Sequence, residues 1–156
     1  MISNMYVIDI ETDGLLDTMT TIHCAVAKDF KTGQVYSYGP EGVEDFIYLI
    51  NNQTVIGHNI ISFDLPALQR FFHFETTMEI DTLVMSRLLN PDRERPQGLP
   101  QRVGPHSLEE RGMRLGFPKG DFKEFAEYSE DMLEYCIRDV EVTDKVYREL
   151  LKEMLV

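Results

Sequence analysis

The chain has 156 residues, 43% hydrophobic and 27% charged, the balance of a single soluble globular domain with a sizeable core. It holds nothing near the roughly 18 consecutive apolar residues of a membrane span, and its opening Met1-Ile2-Ser3-Asn4-Met5 lacks the basic start and apolar run of a secretory signal. A net charge of −12 excludes general, salt-driven coating of nucleic acid.

Met5 to Ile10 reads as a strand and Thr21 to Lys28 as a second. A third, Gln34 to Tyr38, follows the turn Lys31-Thr32-Gly33. Val43 to Asn51 has helical spacing, with Phe46, Ile47 and Ile50 on one side. Thr54 to Gly57 is a short strand, and Phe63 to Phe72 is expected to be helical, with Pro66 in its first turn. Another short strand ends near Ile80, and Asp81 then caps a helix from Thr82 to Leu89. Residues 90–105, rich in proline, glycine and arginine, read as a mobile basic loop. Ser107-Leu108-Glu109-Glu110 matches a capping box opening a short helix that ends near Gly116. The last helix spans Ser129 to Met154, with Glu134/Arg138, Glu141/Lys145 and Asp144/Arg148 at i,i+4 spacing on its solvated side. This order predicts an α/β fold, one mixed sheet covered by helices. Cys24 and Cys136 lie in apolar elements without metal-ligand spacing and read as reduced structural thiols of a cytoplasmic protein.

Charge is unevenly spread. Residues 1–84 carry 3 basic and 12 acidic groups, residues 85–119 carry 7 and 4, and residues 120–156 carry 5 and 11. The positive stretch is central and local, and Arg93, Arg95 and Arg102 make its loop a candidate strand contact.

Asp9 and Glu11 close the β-branched run Val7-Ile8-Asp9-Ile10-Glu11. Two residues apart on a strand, they share a face, where like charges repel and are costly to desolvate unless a cation sits between them. An isolated Asp-x-Glu before Asp13-Gly14 also serves as a turn, so the pair needs partners elsewhere. His58-Asn59 precedes Asp64, a carboxylate at a helix start. Tyr135 and Asp139 are one helical turn apart, and continuing their stripe reaches apolar Val142 and Val146, which puts Asp139 on a partly buried side. Four carboxylates from three elements therefore share a need for cations. Oxygen-only ligation suits Mg²⁺ or Mn²⁺ and not structural zinc.

The set Asp9-x-Glu11, Asp64 after His58-Asn59, and Tyr135-x-x-x-Asp139 resembles the three motifs of the DEDD 3′→5′ exonucleases, in the DEDDy branch. His23-Cys24, Asp81 to Leu89, Pro105 to Glu109 and Arg114-Leu115-Gly116 are similar to the proofreading domains of T-odd podophage family A DNA polymerases. The resemblance implies an RNase H-like mixed five-stranded sheet over 1–156 as one exonuclease domain, free-standing or cut from a longer chain. It implies metal-dependent removal of mononucleotides from the 3′ end of DNA, mainly single-stranded, with two divalent cations. Asp9, Glu11 and Asp139 would hold one ion and Asp9 and Asp64 the other, Tyr135 would orient the attacking water, and Thr12, Leu15, Leu16, His58, Asn59 and Phe63 would touch the substrate. A DNA polymerase acting in trans is the implied partner, with no membrane, in the cytoplasm (the host's, if phage-encoded). An exoribonuclease and a non-catalytic strand- or polymerase-binding module stay open as alternatives.

Overall fold

The β-branched opening run becomes the middle strand of the sheet. In the computed structural model, which describes residues 3–94, 97 and 103–155, β1 (Met5–Thr12) lies between β2 (Ile22–Asp29) and β4 (Thr54–Gly57). β3 (Val35–Tyr38) extends the antiparallel side and β5 (Met78–Asp81) the parallel side, giving the order β3-β2-β1-β4-β5. The mixed five-stranded sheet is the one expected.

The pleat of β1 separates two cores. Ile8 and Ile10 face α1 (Val43–Ile50) and α2 (Leu65–Gln69), burying Phe46, Ile50 and Leu68. Val7 lies on the other face with Cys24, Val26 and Ile56, covered by α5 (Glu130–Met154) through Met132, Cys136, Val140 and Tyr147. Each such side chain, fully buried, contributes about 1.5–3 kcal/mol. α3 (Thr82–Leu89) and α4 (Leu108–Arg114) complete the helical layer, and Val142, Val146 and Leu150 of α5 form a third apolar cluster with Leu89, Leu108 and Leu115.

Two details of α5 differ from the sequence expectation. Asp144, assigned to a solvated row, is buried. Lys28 of β2 reaches both Glu141 (2.8 Å) and Asp144 (3.4 Å), so these acids tie helix to sheet, and Arg148 joins Asp144 at 3.1 Å. Arg138 and Lys145 instead lie over the Phe117 ring. Glu141 thus takes its cation from the neighbouring strand in place of Lys145, whereas Asp144 keeps its i,i+4 partner Arg148 and gains Lys28.

The expected helix over 63–72 is also rebuilt. It is preceded by one wide π-type turn, Ile60–Asp64, in which the Leu65 amide bonds the Ile60 carbonyl. Asn59 enters that turn at φ 65°, and a side chain on Gly57 would collide with Ile60 Cγ2. Glycine at 57 is therefore required for the chain to fold back over the end of β4. Asp81 locks the result. Its carboxylate caps α3 through Leu83 and Val84 and also accepts from the amides of Asn59 (2.9 Å) and Ile61 (3.1 Å).

Of the three arginines of the expected basic loop, Arg93 is committed elsewhere. It donates to Glu153 of α5 at 3.0 Å and to the Ser86 carbonyl. Arg95 and Arg102 lie outside the described residues.

Asp81→Ala strips acceptors from both a helix cap and the π turn. Urea denaturation is expected to show a loss of about 3 kcal/mol, more than a simple cap deletion.

Candidate active site

Asp9 and Glu11 point to the same face of β1 as Val7, toward α5. Asp9 is paired in register with Val26 and Glu11 with Cys24, and a bulge between Glu11 and Thr12 ends the ladder beside them. On α5, Cys136 and Asp139 stand three residues apart on the buried stripe. The Cys136 thiol donates to the Asp9 carbonyl (3.4 Å) and to Asp9 Oδ2 (3.5 Å). Ligand atoms of Asp9, Glu11 and Cys136 all fall within 4.8 Å of one another. Asp64 arrives from the end of the π turn, where the Ile10 amide donates to it.

Burial and mutual repulsion dominate the electrostatics. Desolvation, then the charges of Glu11 and Asp139, hold the Asp9 carboxyl well above the ordinary range. Burial and Asp139 push Glu11 up to about 8, and Asp9 and Glu11 share a side-chain hydrogen bond. Desolvation and then Asp9 raise Asp64. Desolvation raises Asp139 to about 7, against an opposing pull from Lys119. Asp64 Oδ2 and Asp139 Oδ1 are buried without a hydrogen-bond partner. Buried carboxylate oxygens are ordinarily paired, and a lone pair left bare in a cluster of four acids fits a hard divalent cation. Asp9 and Glu11 supply clustered carboxylate oxygens and Asp64 and Asp139 unpartnered ones, so the residues fit that group.

The other expected residues divide by position. Tyr135 lies beside Asp139, its hydroxyl raised to about 12 by burial and the Asp139 charge. Glu11, Thr12, Leu15 and Phe63 line one slot of about 300 Å³. Leu16 instead packs against the core under α1 and α2. Asn59 and His58 line a second cleft together with Lys119. The His58 ring is engaged. His58 Nδ1 and Thr82 Oγ1 share a hydrogen bond of 2.7 Å, while burial lowers the ring to about 4 and keeps it neutral.

Two residues, Lys119 and Phe125, escaped the sequence reading. Lys119 Nζ lies 3.7 Å from Asp139 Oδ2, hydrogen-bonds Tyr135 and sits 5.2 Å from that ring's centroid. Phe125 lines the slot with Leu15 and packs edge-on to Tyr135 at 6.0 Å. Its carbonyl accepts from His23 Nε2 at 2.8 Å, which anchors the segment to β2. Cys136 packs under Asp9. Lys119 and Phe125 come from residues 115–129, which have no regular structure and therefore no periodicity to read.

A family model described as 3′-5′ exonuclease matches residues 4–155. The DNA-directed DNA polymerases of Escherichia phage T7 and Enterobacteria phage T3 are each 31% identical to the chain over 96% of its length. The chain spans 27% of the length of these relatives. Among solved structures, Brucella melitensis NrnC with bound Mg²⁺ superposes with a TM-score of 0.73 at 20% identity, over 97% of this chain and 74% of that one. A structure of the same NrnC bound to pGG gives a TM-score of 0.69. The fold is RNase H-like, and no helix among the described residues is long and apolar enough to cross a membrane. The chain belongs to the 3′-5′ exonuclease family of the family A DNA polymerases.

Proposed function

We propose that this chain releases mononucleotides from the 3′ end of DNA, single-stranded ends above all, using two divalent cations, Mg²⁺ or Mn²⁺. The observation that carries this reading is the pair of bare, buried oxygens on Asp64 and Asp139 within a cluster of mutually repelling acids. Asp9, Glu11 and Asp139 would hold one cation, and Asp9 and Asp64 the other. Such ions supply Lewis-acid charge at a phosphodiester, activating water and stabilising the departing 3′ oxygen.

The protein's own groups handle orientation. With its hydroxyl raised to about 12, Tyr135 keeps its proton and positions the attacking water by hydrogen bonding instead of acting as a base. Lys119 fixes that hydroxyl and places a positive charge beside the reacting phosphate. The slot walled by Leu15, Phe63 and Phe125 suits the terminal base, which stacks on aromatic faces regardless of its identity. Thr12 donates from Oγ1 to the Gly14 carbonyl at 2.7 Å and so sets the backbone of the slot's rim. DNA is favoured over RNA by the two polymerase relatives, and the same likeness makes a DNA polymerase the natural partner.

The test is a time course on matched 3′-labelled DNA and RNA oligonucleotides with and without Mg²⁺. Wild type is expected to shorten DNA from the 3′ end, Asp9→Ala and Asp139→Ala to release nothing, and Tyr135→Phe to slow release about 10- to 100-fold while still binding Mn²⁺. Full activity in Asp139→Ala removes this assignment, and faster shortening of RNA transfers the substrate.

The raised carboxyls also link stability to pH. Glu11 ionises near 4.5 when unfolded and near 8 when folded without metal. Its buried protonated form is therefore without penalty below about pH 4.5, and stability falls as pH rises toward 8. Thermal melts in EDTA are expected to drop across that window, Glu11→Gln to flatten the drop, and added Mg²⁺ to stabilise more as pH rises. A melt insensitive to pH and Mg²⁺ contradicts the coupling.

A further inference from the structure

A cleft of about 520 Å³ opens beside the carboxylates, bounded by His58 and Asn59, by Leu83 and Arg87 of α3, by His106 ahead of α4, and by Lys119. We propose that this cleft seats the phosphate one nucleotide upstream of the bond that is cut, gripped by Arg87; the inference rests on the exonuclease reading and adds where the strand leaves the site.

Placement is the first argument. Asn59 opens the turn that ends at Asp64, and Lys119 touches Asp139, so two walls of the cleft are continuous with elements that carry the cluster. The slot for the terminal base borders Glu11 instead. A strand ending in the slot, with its last phosphate over the carboxylates, leaves across the cleft.

Charge is the second. Arg87 and Lys119 face one acid, Glu109, in a chain whose net charge is −12. Arg87 is exposed and has no ion-pair partner among the described residues, whereas Arg93, its neighbour in the chain's positive stretch, is bound to Glu153. The guanidinium fork matches two phosphate oxygens at once. Both histidines of the cleft are tied by ring nitrogens, His58 to Thr82 and His106 to Ser86 Oγ at 2.7 Å, so they shape the wall and leave the charge to the two cations. Arg87 projects from a capped helix, which fixes its origin relative to Asp81 and the π turn.

The experiment uses two decathymidylates, one unmodified and one with the second phosphate from the 3′ end replaced by a neutral methylphosphonate. The readout is kcat/KM for release of the first dTMP. In wild type the methylphosphonate is expected to cost about tenfold, the worth of one charge-assisted contact. Arg87→Gln should lose about as much on the unmodified strand and little more on the modified one, with Arg87→Lys between. An undiminished methylphosphonate penalty in Arg87→Gln, or none in wild type, overturns the subsite and leaves the exonuclease reading standing. A wild-type chain that shortens neither strand sinks both.

Discussion

Repulsion among four acids crowded at one end of β1 is the constraint around which this molecule is arranged. The sheet pairing, the apolar layers on both faces and the cap on α3 all push Asp9, Glu11, Asp64 and Asp139 together, although burial makes each harder to ionise and neighbouring acids add to that at Asp9, Glu11 and Asp64. Local structure relieves little of that cost, and the Ile10 amide donates to Asp64. Lys119 offsets part of it at Asp139, and the thiol of Cys136 offers Asp9 a weak donor. The two cores must carry the rest. A strand buried on both sides, holding two acids on the face of its longest covering helix, is tolerable only because Val7, Ile8, Ile10, Val26 and Ile56 bury so completely around it.

Much of this was legible in the sequence because it rests on short periods. The alternation of Val7, Asp9 and Glu11 fixed a shared face, and the apolar stripe through Val142 and Val146 gave Asp139 its inward direction. Asp64 was visible as a carboxylate at a helix start, and Asp81 as a cap. Hidden from the sequence was everything set by contact across elements. Asp81 also restrains Asn59 and Ile61, Lys28 claims Glu141 and Asp144, and Arg93 turns inward to Glu153. The π turn was invisible for the same reason. Its cause is the space beside Gly57 that Ile60 fills, and spacing along the chain carries no trace of it.

The unstructured segment before α5 shows how a site can depend on residues that no pattern announces. Lys119 and Phe125 both reach Tyr135, one by hydrogen bond and one by ring contact, so the phenol is held in place. What anchors them is distant in sequence: His23 bonds the Phe125 carbonyl, and Arg138 bonds the Pro118 carbonyl at 2.8 Å. Preorganisation of this kind removes an ordering cost that would otherwise fall on the reaction. It also explains why an irregular stretch sits beside the densest chemistry in the molecule. Irregular backbone can aim a lysine and an aromatic ring at one point, whereas a helix would separate them by its own repeat.

Net charge and site charge have opposite consequences for a polyanionic substrate. A chain with a net charge of −12 has no long-range attraction for a nucleic-acid backbone to supply affinity. On the proposed reading, binding would come from the few places where the sign reverses: cations among the acids, and the side chains of Arg87 and Lys119 next to them. A contact confined to so small an area engages a few nucleotides and no more. That is a poor arrangement for gripping the middle of a strand, which needs contacts on both flanks. It suits an end, where only one flank has to be accommodated and the terminal base can enter the apolar slot beside Glu11.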